Sequence, residues 1–124
     1  MKKRFFIFSL LVIVGLLSWA SDDEIVLNCP GHQHDHGEYY PPADMPEAYF
    51  DSDEMEIIIE ADGYADYYIV EVFSMVSTQS IIYTQIDGYG DTIDVSLLPD
   101  GYYQLVITSS NNNVFEGFFM IETE

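Results

Sequence analysis

The sequence predicts an all-β protein, an antiparallel sandwich or a small barrel. Three observations carry this. From about residue 55 the apolar residues alternate with polar ones or fall in short runs, β-branched and aromatic residues crowd those runs, and Gly, Pro, Asp and Asn punctuate them closely. No helical periodicity follows the N-terminal apolar stretch.

That N-terminal stretch is read first because it is expected to leave. Lys2, Lys3 and Arg4 form a basic n-region, Phe5 to Leu17 are almost unbroken apolar, and Ser18-Trp19-Ala20 places small residues at a signal-peptidase site. Cleavage after Ala20 is the expectation, giving an exported chain, periplasmic or at the cell surface or beyond it. A retained anchor would need about 20 apolar residues to span a bilayer, and this run is shorter. A lipoprotein would carry its cysteine at the cleavage point, whereas Cys29 lies nine residues past Ala20. The organisation expected is signal peptide 1–20, flexible acidic and histidine-containing leader 21–47, and β-sandwich domain 48–124.

Each element has its own signal. The leader carries Pro30, Pro41, Pro42 and Pro46 with little periodicity, and only Glu24 to Leu27 suggests a short strand. Met55 to Glu60 reads as a strand with Met55, Ile57 and Ile59 on one face, closed by a turn over 61–66. Tyr67 to Val76 is the longest expected strand, with Tyr68, Val70, Val72 and Val76 aligned. Ile81 to Ile86 follows and ends at Asp87-Gly88-Tyr89-Gly90. Thr92 to Leu97 alternates, with Ile93, Val95 and Leu97 on the apolar side. Pro99-Asp100-Gly101 is a turn because proline fixes φ and glycine accepts positive φ. Tyr102 to Thr108, a turn over 109–113, and Val114 to Ile121 complete six strands.

Several strands are apolar on both sides. Phe115 and Phe119 oppose Phe118 and Met120, and Tyr67, Ile69, Phe73 and Met75 oppose the valines. Either a face is covered, by the leader or by a second copy in a homodimer, or tyrosine-rich faces simply tolerate water. Ten tyrosines suit a carbohydrate or peptide surface and suit sandwich strands equally well.

Charge narrows the partners. All three basic residues precede Ala20 and all 22 carboxylates follow it, so the mature chain of 104 residues carries a formal charge of -22. No carboxylate there can find a Lys or Arg within the chain, and self-repulsion opposes compaction. Nucleic acid and anionic lipid are excluded as partners on the same ground. One cysteine cannot close an internal disulfide.

The residues able to carry metal chemistry are Cys29, His32, His34 and His36, spread over eight positions. A thiolate and imidazoles suit zinc, copper or nickel, and Asp35 or Glu38 adds an oxygen. No second ligand pair follows in the folded part, so the competing reading is a polar leader without a site. Calcium would need converging oxygens; Asp51, Asp53 and Glu54, or Asp87, Asp91 and Asp94, offer carboxylates without the EF-hand spacing. No nucleophile elbow and no histidine occur in the sandwich region, so the expectation is a protein that is not an enzyme. Finally, Glu24-Ile25-Val26-Leu27 is apolar enough for the leader to add itself to an open sheet edge.

Ile81-Ile82-Tyr83, the run Thr92 to Ile107 with its Pro99-Asp100-Gly101-Tyr102-Tyr103 turn, and Phe115 to Ile121 together resemble a family of short secreted Bacteroidales proteins of unknown function. The resemblance covers residues 46 to 122 and implies a single immunoglobulin-like sandwich of about six to seven strands, exported after a signal peptide. The Gly-Tyr ending is distantly similar to C-terminal secretion and sorting sandwich domains. The chain departs from these by lacking a lysine near its end and a cargo domain upstream. The resemblance implies a structural role for Gly101 and for Tyr102 or Tyr103, a tight turn feeding the penultimate strand, and no activity. The function expected is an exported, non-enzymatic binding or surface protein whose partner is a protein or a carbohydrate. The alternative is divalent transition-metal binding through the Cys/His leader.

Overall fold

The structure is a computed structural model that describes residues 22–30, 41–77 and 79–122. Eight strands run in chain order among them: β1 Asp22–Ile25, β2 Glu47–Asp51, β3 Glu56–Glu60, β4 Tyr67–Ser74, β5 Ser80–Asp87, β6 Gly90–Asp94, β7 Gly101–Ser109 and β8 Val114–Ile121. They form two four-stranded sheets, β1-β2-β3-β6 and β5-β4-β7-β8, with every pairing antiparallel. The sheets pack face to face as a sandwich, and Phe50 of the first meets Phe119 of the second with ring centroids 5.5 Å apart.

Period-two patterning makes the core. Ala48, Phe50, Ile57, Ile59 and Ile93 point inward from the first sheet, and Tyr68, Val70, Val72, Leu105, Ile107, Phe115, Phe119 and Ile121 from the second. Burying one Ile or Phe side chain fully contributes about 1.5–3 kcal/mol. With no Lys or Arg after Arg4, this burial must outweigh carboxylate repulsion without salt bridges to help. At the start of β7 the buried Tyr103 stacks on Phe119 and donates its hydroxyl to the carbonyl of Pro99. This is the tyrosine-corner arrangement of immunoglobulin-like sandwiches, and it gives the Pro-Asp-Gly-Tyr-Tyr motif its structural role.

The strands at the N-terminal side differ most from expectation. β1 pairs with β2 in the register Asp22↔Asp51 to Ile25↔Ala48, so the chain does add itself to a sheet edge, two residues earlier than Glu24 to Leu27. Ile25, Leu27 and Cys29 then alternate inward and are buried, which explains the anchoring. Between them Asn28 crosses to the other sheet: its N–H donates to Glu116 O at 3.0 Å and its carbonyl accepts from Glu116 N at 2.8 Å. Gly117 permits the crossing, since a Cβ there would lie 2.7 Å from Ile25 Cγ2 and 2.8 Å from the Val26 carbonyl. β2 was not expected as a strand, because a five-residue Glu-Ala-Tyr-Phe-Asp segment is short and carries an acid at each end.

Two expected inward residues point out. Val76 is 91% exposed because β4 ends at Ser74, whose hydroxyl accepts from Val76 N at 3.2 Å and starts a turn. Leu97 is 95% exposed because β6 ends at Asp94, whose carboxylate accepts from Ser96 N at 2.9 Å. The turn between β5 and β6 requires its glycine: Gly90 has φ 103 and a Cβ there would strike the Ile59 carbonyl.

Candidate functional site

Of the expected metal ligands, Cys29 alone falls among the described residues. His32, His34 and His36 lie outside them. Cys29 is described and is 5% exposed, its side chain packed in the core cluster with Ile25 and Leu27. No group of three or more His, Cys, Asp or Glu side chains is placed to hold a metal ion among the described residues. Three of the acidic residues weighed for calcium, Asp51, Asp87 and Asp94, accept backbone hydrogen bonds in turns. Asp51 accepts from the N–H groups of Asp53 and Glu54 at 3.0 and 3.2 Å, and Asp87 accepts from Tyr89 N at 2.7 Å. Asp94 likewise accepts from Ser96, and these hydrogen bonds hold its carboxyl below the usual range.

Asp44 was invisible to sequence reasoning and is the one buried carboxylate among the described residues, 4% exposed. It ties the Pro41–Pro46 segment to the β7–β8 turn. Asn111 Nδ2 donates to its Oδ2 at 3.0 Å, Asn113 Nδ2 donates to its Oδ1 at 3.0 Å, and its backbone carbonyl accepts from Tyr68 OH at 2.7 Å. Burial pushes the Asp44 carboxyl up, but the hydrogen bonds from Ser109, Asn111 and Asn113 outweigh it and hold the group below its ordinary value. Tyr68 is pushed up to about 12, by burial first and then by the charges of Asp44 and Asp62. With no Lys or Arg among the described residues, this buried charge is satisfied by neutral amides. The signal was present in principle as an Asn-rich turn, but nothing in the sequence pairs that turn with an aspartate 67 residues away.

The two outer faces differ in chemistry. On the first sheet, Asp51, Glu56 and Asp94 are direct cross-strand neighbours, and Glu47 faces Glu60. Like charges in these positions repel, so this face is a solvated acidic one. On the second sheet, Tyr83, Glu71, Val106 and Glu116 make one row across the strands, and Phe73, Gln104 and Phe118 make the next. Tyr102 opposite Met120 extends that face. Tyr83, Tyr102, Phe118 and Met120 are 69%, 64%, 56% and 42% exposed. Only Glu71 and Glu116 bring charge into these rows. The arrangement can stack on or bury an apolar or aromatic surface and can hold a cation beside it; among these side chains there is no nucleophile–base pair.

No protein-family model matches the chain, and no curated protein matches it. Among solved structures, a crystal structure of a DUF3244-family protein from Bacteroides vulgatus, described as having an immunoglobulin-like β-sandwich fold, superposes with a TM-score of 0.63. The two chains are 14% identical, and the alignment covers 82% of this chain and 99% of that one. What they share is the fold. The immunoglobulin-like sandwich is thereby established for this chain, in keeping with its two antiparallel four-stranded sheets. Among the described residues no helix is long and apolar enough to cross a membrane.

Proposed function

We propose that this protein is an exported, non-enzymatic binding module that presents the outer face of the β5-β4-β7-β8 sheet to a partner. The observation that carries this is the asymmetry of the sandwich: one outer face is ruled by carboxylates, the other by exposed Tyr83, Tyr102, Phe118 and Met120. Contiguous apolar surface on a monomeric domain marks interaction sites, and aromatic residues are enriched where partners dock. The acidic face supplies solubility. Export is supported by the basic, apolar and small-residue order of residues 2–20.

Photo-crosslinking tests the surface. A benzophenone side chain is placed at Phe118 or Tyr102, and at Ile58 on the acidic face as control. Discrete crosslinks to a cell-surface or secreted component from positions 118 and 102 alone are expected. Equal labelling from all three positions, or none, refutes the reading. N-terminal sequencing of the secreted chain should begin at Ser21.

A further inference from the structure

The acidic and aromatic faces leave four strand edges, and these are not equally guarded. Native sheets blunt their edges with charge, shortness, bulges or a covering segment. β1 is only four residues long and three of them are Asp or Glu. β6 is five residues long and carries Asp91 and Asp94. The edge of β8 is occupied at its middle by Asn28, which pairs with Glu116 through two hydrogen bonds. Among the described residues, β5 has none of these protections over most of its length.

β5 pairs only with β4 among the described residues. Its single irregularity is a bulge at its beginning, where Val72 faces Ile82 and Phe73 faces Ser80, leaving Ile81 as the extra residue. From there Ile82-Tyr83-Thr84-Gln85-Ile86 is regular, uncharged, free of Pro and Gly, and rich in β-formers, before Asp87 ends it. Such a strand is a template for another strand. We infer that β5 is the docking edge for an extended, basic segment of a partner polypeptide, which adds as a further strand beside Ile82–Asp87.

Charge selects the occupant. A second copy would bring a second acidic chain without a Lys or Arg after Arg4 against this one, so edge-to-edge pairing of two copies is opposed by their fields. A basic segment meets the opposite situation. The added strand would lie about 5 Å beyond β5 and about 10 Å from β4. A lysine or arginine on its outer side then crosses the ring of Tyr83, 69% exposed, toward Glu71, the cross-strand neighbour of Tyr83. Backbone pairing gives the affinity and these side chains give the preference. This inference rests on the reading of the β5-β4-β7-β8 sheet as a binding surface and names its partner class.

The test uses synthetic peptides the length of β5, eight residues: one alternating Lys with Val, one alternating Glu with Val, and the Lys peptide with proline at alternate positions. Amide exchange and shift perturbation are followed residue by residue. The Lys peptide should slow exchange of alternate amides within Ile82–Asp87 by about tenfold or more, with binding that weakens as salt rises. The other two peptides should do neither. Thr84→Pro and Gln85→Pro, made separately, add a second measurement. Neighbouring N–H groups point to opposite sides, so one of the two prolines removes an outward donor, keeps the fold and abolishes binding. Perturbation confined to Tyr102, Phe118 and Met120 would overturn the edge while leaving the binding-face reading intact. Equal protection by the Glu peptide would overturn the charge preference. Protection of β5 without peptide, accompanied by a dimer in sedimentation, would make the occupant a second copy and overturn the basic partner. Absence of any perturbation would overturn the inference, and the crosslinking experiment would still judge the face on its own.

Discussion

Replacing Asp44 by alanine removes the carboxylate that accepts from Asn111 Nδ2 and Asn113 Nδ2, both at 3.0 Å. Hydrogen bonds to a charged group contribute about 1.5–3 kcal/mol each. Asn111 is exposed and can turn to water, while Asn113 is half-buried and loses more. The net loss worked from these positions is about 2–3 kcal/mol. For a domain of this size that lowers the Tm by about 10–20 °C. Asp44→Asn keeps the shape and one acceptor but turns an NH₂ group toward one of the two amide donors, and should lose about half as much. The pH dependence has a defined sign. The folded-state pKa of Asp44 is depressed, so its contribution is fully present above the unfolded value of about 3.9 and is lost as pH falls through the lower folded value. The gap in stability between the native chain and Asp44→Asn, measured by urea unfolding, should therefore be constant near neutrality and close only below about pH 4. A gap under about 0.5 kcal/mol at neutral pH, or one that closes above pH 5, refutes the assignment of Asp44 as the tie between the Pro41–Pro46 segment and the β7–β8 turn.

Tyr103→Phe should cost about 1 kcal/mol by removing the hydroxyl that bonds the Pro99 carbonyl; an unchanged urea midpoint would deny the corner any energetic role. Gly117→Ala should push away the Ile25–Leu27 segment, destabilising by about 1–3 kcal/mol and speeding exchange at Asn28 and Glu116; slow exchange at both would show that the crossing segment adapts. Because the Cys29 side chain is packed in the core, Cys29→Ser should leave zinc affinity in calorimetry unchanged, whereas the triple change of His32, His34 and His36 to Ala should abolish any sub-micromolar binding. A loss with Cys29→Ser at retained fold would restore the thiol as a ligand. Adding salt should raise the Tm, since the described residues hold carboxylates and no Lys or Arg to pair with them, and a fall would mean that the acidic face is not strained by repulsion.

The readable part of the fold was the part with a clean period of two. Val114 to Ile121 matches β8 residue for residue, and Tyr68, Val70 and Val72 face inward as expected. Strand ends were less legible. Ser74 and Asp94 stop their strands by bonding backbone N–H groups two residues on, a local competition that apolar spacing does not register. β2 escaped notice because Ala48 and Phe50 are its only inward residues. Phe73, Phe118 and Met120 were visible as a second apolar side, but pattern alone could not tell a wetted face from a binding one. The proposal that it binds rests on the contrast with the carboxylate rows on the opposite sheet, which depend on registers between strands far apart in sequence. Asp44 was out of reach for the same reason, its partners being fixed by tertiary packing.

The pairing of Asn28 with Glu116 also sets an order of events. A segment near the start of the chain finds its second anchor only on the last strand, so the sandwich cannot seal until β8 has been made and delivered. Until then Ile25, Leu27 and Cys29 lack the strand they pack beneath in the folded state. Contacts this distant in sequence make folding slow. Under the export proposed above, that delay leaves the chain open while it crosses a membrane, with the final strand as the latch.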